Sequence, residues 1–61
     1  MIPAFDIFKK EPGGRFVWLR AATTLDQANA AVRRLNDPIS EFIIVNEYTG
    51  ERTTIKPAQA P

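Results

Sequence analysis

Sixty-one residues with eight basic and seven acidic side chains, for a net charge of +1, make one small domain, spanning 1–61, near the lower size limit for independent folding. The chain has neither cysteine nor histidine, which excludes disulfides, zinc sites of the usual ligand types, thiolate nucleophiles and every imidazole-based acid–base scheme. At this size the fraction of surface that can be buried is modest, so help in folding is expected from a partner chain; near-balanced charge predicts no strong steering toward nucleic acid or anionic membrane.

The start, Met1-Ile2-Pro3-Ala4-Phe5-Asp6, has no basic region and no apolar run of signal length. No stretch approaches the ~20 apolar residues of a membrane span. The expectation is a soluble, cytoplasmic chain with flexible ends at 1–4 and 57–61.

Phe5 to Lys10 and Arg15 to Ala21 are rich in aromatic and β-branched residues, and Glu11-Pro12-Gly13-Gly14 between them is turn chemistry, which predicts a hairpin. A three-residue loop, Pro12-Gly13-Gly14, fits a bulged type I turn with Gly14 at positive φ. It sets Glu11 against Arg15, Lys9 against Val17, Phe8 against Trp18, Ile7 against Leu19, Asp6 against Arg20 and Phe5 against Ala21. A four-residue loop would set Lys10 against Arg15 and is worse. In the favoured register Phe5, Ile7, Val17, Leu19 and Ala21 share one face, and Asp6, Phe8, Phe16, Trp18 and Arg20 share the other.

A helix is predicted over Leu25 to Leu35. At about 100° per residue, Ala31, Leu35, Ala28, Val32 and Leu25 fall within an arc of roughly 120°. Thr24 with Gln27 spells a capping box, Asp26 and Arg33-Arg34 complement the dipole, and Asn36 before Asp37-Pro38 spells a stop. Burying Leu25, Val32 and Leu35 would contribute roughly 5 to 9 kcal/mol gross.

Glu41 to Glu47 opens a second hairpin. Its turn, Glu47-Tyr48-Thr49-Gly50-Glu51, reads as the same bulged type with Gly50 at positive φ, pairing Val45 with Thr53, Ile43 with Ile55 and Asn46 with Arg52. A two-residue Thr49-Gly50 loop would pair Ile44 with Ile55 and exchange the faces. In the first register Ile43, Val45 and Ile55 join the core, leaving Phe42, Ile44, Arg52, Thr54 and Lys56 outside.

The layout is therefore β-β-α-β-β, an α+β two-layer sandwich in which one helix covers one face of a four-stranded sheet of two hairpins. Two strand orders fit: second and third strands as parallel neighbours, or first and third side by side and antiparallel. The run Phe5-Asp6-Ile7-Phe8-Lys9, the Gly14 turn, Val17-Trp18-Leu19, Thr24-Leu25 with Ala28, Phe42-Ile43-Ile44 and Thr49-Gly50-Glu51 together resemble a group of short uncharacterised bacterial proteins of this layout. The resemblance implies the fold; it brings no activity, cofactor or site.

One helix shields one side of a sheet, and the other side would hold Phe8, Phe16, Trp18, Phe42 and Ile44. Exposed apolar patches of this kind mark interaction sites. The leading expectation is a non-enzymatic module that forms a homodimer or takes a protein partner on this face. Cover by 1–4 or 57–61 is another way to shield it. The alternative is single-stranded nucleic acid stacked on the aromatics, with Lys10, Arg20, Arg52 and Lys56 holding phosphates. No catalytic constellation, cofactor motif, small-molecule substrate site or metal-ligand spacing is evident. Arg33-Arg34 reads as a solvated helix end, Glu47 and Glu51 as exposed acids, and Gly13-Gly14 as a turn, because a phosphate loop would lead into a helix.

Overall fold

A computed structural model describes residues 3–57. The remainder of the expected flexible ends, 1–2 and 58–61, lies outside the described residues, while the Ala4 carbonyl accepts from the Glu47 N–H at 2.7 Å. The elements are β1 (Phe5–Lys10), β2 (Phe16–Ala22), α1 (Leu25–Leu35), β3 (Glu41–Asn46) and β4 (Arg52–Ile55). They build a four-stranded antiparallel sheet in the order β2-β1-β3-β4 with one helix. Of the two strand orders open to the sequence, the one with β1 beside β3 is found. The α1 crossover therefore passes over β1, and β2 and β3 run parallel with β1 between them.

The first hairpin closes on the three-residue loop. Glu11 N–H donates to the Arg15 carbonyl at 2.6 Å, and Gly14 N–H to the Glu11 carbonyl at 3.0 Å. Gly13 and Gly14 both have positive φ, +96° and +92°; positive φ directly after Pro12 at the turn's third residue is the type II signature, not the expected type I. From the turn the pairs Lys10–Phe16, Lys9–Val17 and Phe8–Trp18 follow the expected register. Then an irregularity between Ile7 and Phe8 shifts it by one, giving Ile7–Arg20, Asp6–Ala21 and Phe5–Ala22. This is a β-bulge in β2, with Leu19 the extra residue. Beyond it Ala22 replaces Ala21 on the helix side.

In the second hairpin Gly50 has the expected positive φ, +77°, but the loop length and the register depart from expectation. Gly50 N–H donates to the Asn46 carbonyl at 2.7 Å and Asn46 N–H to the Glu51 carbonyl at 2.8 Å, so the loop is the four residues Glu47 to Gly50. The Asn46 side chain is the reason: its Oδ1 accepts from the N–H of Tyr48 and of Thr49, an Asx turn that starts the reversal one residue early. The resulting pairs are Phe42–Ile55, Ile43–Thr54, Ile44–Thr53 and Val45–Arg52. A one-residue slip exchanges the faces of a strand. Phe42 and Ile44 therefore lie under the helix, and Ile43 and Val45 look outward.

The core is Ile7, Phe42 and Ile44 from the two central strands beneath Ala28 and Val32 of the helix, with Phe5, Leu19, Ala22, Ala31 and Ile55 packed around it. Large residues project from the sheet, so small ones face them from α1. Both helix caps form as expected. Thr24 Oγ1 accepts from Gln27 N–H at 3.1 Å, and Asn36 ends the helix at φ +51° with its N–H on the Arg33 carbonyl. The Gln27 amide reaches past the cap to Thr23 rather than to Thr24's own N–H. Leu25 and Leu35, 38% and 50% exposed, stay at the two ends of the footprint. α1 packs on β1, β2 and β3 and leaves β4 outside, so each of those leucines realises only part of the burial expected of it.

Candidate functional site

The face opposite the helix is built in ranks, one residue from each strand. The pairings set Ala21, Asp6, Val45 and Arg52 side by side, then Trp18, Phe8, Ile43 and Thr54, then Phe16, Lys10 and Glu41. The middle rank is apolar across three strands. Each outer rank carries charge.

Three of the five residues expected on this face are there: Phe8, Phe16 and Trp18. Phe42 and Ile44 are not, being 2% and 1% exposed in the core; the four-residue second turn put them there. Ile43 and Val45 take their places. Phe8, Phe16, Ile43 and Val45 wall a shallow depression of about 320 Å³ that is closed at one end by Asp6, Glu47 and Arg52. On the β2 edge Phe16 and Trp18 remain 42% and 55% exposed.

The cationic candidates divide. Lys10 and Arg52 stand on the open face. The bulge turns Arg20 to the helix side, where it lines a groove with Gln27 and Arg34. Lys56 follows the end of β4 and lines a depression with Val32, Asn36 and Ile55 at the helix C-terminus. Neither belongs to a phosphate track along the aromatics.

Asp6 stands on this face as expected, and Glu41 and Glu47 join it there. Trp18 Nε1–H donates to Asp6 Oδ1 at 3.0 Å, which satisfies the indole where it crosses toward β1. Glu47 hydrogen-bonds the Asp6 carboxyl, and that bond with the like charge beside it holds Glu47 above the ordinary glutamate range. Asn46 was the available signal: an Asn directly before a turn spells an Asx turn, and reading it would have moved Ile43, Val45 and Glu47 onto this face. Asp6, Glu41 and Glu47 now stand against Lys10 and Arg52, three acids to two bases.

Among the described residues no group of acidic side chains is placed to hold a metal ion, and no helix is long and apolar enough to cross a membrane. No family model, no curated protein and no solved structure matches the chain.

Proposed function

We propose that the chain is a small non-enzymatic self-association module whose open sheet face packs against that of a second copy. The observation that carries this reading is the uncovered rank Trp18, Phe8 and Ile43, with Phe16 and Val45 beside it, on a sheet whose helix is spent on the opposite side. A domain of this size buries few residues by itself, and sheets stack face to face at about 10 Å through ranks of this kind.

Self-complementarity favours a copy of the chain over another partner. Asp6, Phe8 and Lys10 alternate evenly along β1 on this face. A two-fold axis lying across the strands at Phe8 stacks the middle rank on its own copy and carries Asp6 of one protomer over Lys10 of its partner. Nucleic acid lacks this support, because the face carries more acid than base.

Light-scattering mass across a dilution series tests the reading. Twice the chain mass, falling on dilution and insensitive to moderate salt, is the expected result. A single-chain mass at every concentration overturns it, as does Trp18 quenching by single-stranded oligonucleotides that weakens steeply with salt.

A further inference from the structure

On the helix side of the sheet a second depression, of about 310 Å³, lies between α1 and the outer edge of β2. Its strand wall is Arg20, Ala21 and Ala22. Side chains alternate along a strand, so a depression touching three consecutive residues runs along the strand's edge and not over one face. β2 is an edge strand, paired among the described residues only with β1, and its outward backbone groups are a template for another strand.

The helix wall is one flank of α1, with Gln27 and Arg34 two turns apart and alanines between them. Arg20 and Arg34 thus reach the same depression from two elements, and among the described residues neither is in an ion pair. Gln27 spends its carbonyl oxygen on Thr23, which leaves its NH₂ as a donor. Alanine walls supply no socket for an apolar anchor. What the groove offers is backbone pairing and guanidinium charge.

The geometry points to an extended acidic peptide segment as the occupant, added to the free edge of β2 as a fifth strand. Its alternate carboxylates would be met by Arg20 and Arg34 under the helix flank. The bulge fits this role, because without it Arg20 would project from the opposite face. The site is independent of the open face and of self-association.

The test is a backbone amide NMR titration of the full chain with a capped pentapeptide alternating threonine and glutamate. The threonine–glutamine counterpart and inorganic phosphate are run beside it. Expected are saturable shifts at the amides of Arg20, Ala21 and Ala22, and slowed exchange at Ala21, whose N–H faces the free edge because Arg20 and Ala22 pair with Ile7 and Phe5. Affinity should be about tenfold weaker for the glutamine peptide, and about tenfold weaker for the acidic peptide on Arg34→Gln, as loss of a charge-assisted hydrogen bond implies. Absence of a saturable shift overturns the proposal. So do equal affinity for the two peptides, shifts confined to the Phe8 and Trp18 face, or phosphate reproducing the β2 edge shifts, which would make the groove a plain anion site.

Discussion

The Trp18 indole N–H reaches Asp6 on a diagonal: Trp18 stands opposite Phe8, and Asp6 opposite Ala21. One carboxylate therefore tethers the largest exposed ring of the open face and, by hydrogen bond and like charge, raises the pKa of Glu47. The folded state holds the Glu47 proton more tightly than the unfolded chain does. That contribution to stability is present in acid and is lost as pH rises through the raised Glu47 value. In Asp6→Asn, Glu47 should titrate in the ordinary glutamate range, as followed by carboxyl-carbon NMR; an unmoved Glu47 titration would exclude Asp6 as the cause.

Asp37 has the opposite sign. The Ser40 hydroxyl and amide hold it below the ordinary aspartate range, with the Ile39 amide and the Lys9 ammonium, at 3.6 Å, adding to them. Stability from this loop is present above that range and is lost as pH falls through the lowered Asp37 value. Urea midpoints of Asp37→Asn should vary less across the acid range than those of the parent chain. Matching acid limbs would count against the assignment.

Phe42→Ala and Phe16→Ala separate core from surface. Phe42 is buried in the core with Ile7, Ile44, Ala28 and Val32, and its truncation should cost about 3–5 kcal/mol, against a total of roughly 3–9 kcal/mol for a domain of this length. Phe16 sits on the open face, so its truncation should cost less than about 1 kcal/mol in the monomer. Far-UV circular dichroism in urea reads both. A larger loss for Phe16 than for Phe42 would mean the two faces had been exchanged.

Trp18→Ala should keep the helix and sheet signal while lowering the assembly to the mass of one chain. Lys10→Glu should weaken the dimer through the Asp6 of the partner protomer, and Asp6→Lys combined with Lys10→Glu should restore part of it. Sedimentation at several concentrations measures each, and a dimer indifferent to all of them would place the contact elsewhere.

Asn36 ends the helix at φ +51° and ψ +44°. Asn36→Gly should be close to neutral, whereas Asn36→Ala should cost about 1–2 kcal/mol, the penalty of a Cβ in the left-handed region. Thermal melts should show a fall of about 4–8 °C per kcal/mol.

The helix was legible to the residue, Leu25 to Leu35, because its signals are local: a hydroxyl at the start, a left-handed Asn at the end, and one apolar stripe between. The turn-proximal half of the first hairpin was legible for the same reason, since Pro12, Gly13 and Gly14 leave few loop geometries. The bulge at Leu19 was not. No Gly or Pro marks it, and it arises where the twist of β2 against β1 has to be reconciled with a helix lying over both. Its cost was the face of Arg20. The second turn was not legible, because Gly50 suits a three-residue bulged loop as well as the four-residue loop that the Asn46 Asx turn selects, and a single position of slip exchanges Phe42 and Ile44 for Ile43 and Val45. Charge at the open face followed that slip, so the balance of acid over base could not be read before the register was known.

The first strand of the chain ends up in the middle of the sheet, and its two neighbours are synthesised at very different times. β2 follows within a dozen residues, but β3 arrives only after the helix has been made. The β1–β2 seam closes across a short loop, whereas the β1–β3 seam closes only across the whole of β2 and α1, so the second costs more chain entropy and is the slower to form. Until it closes, one flank of β1 is an open template for mispairing.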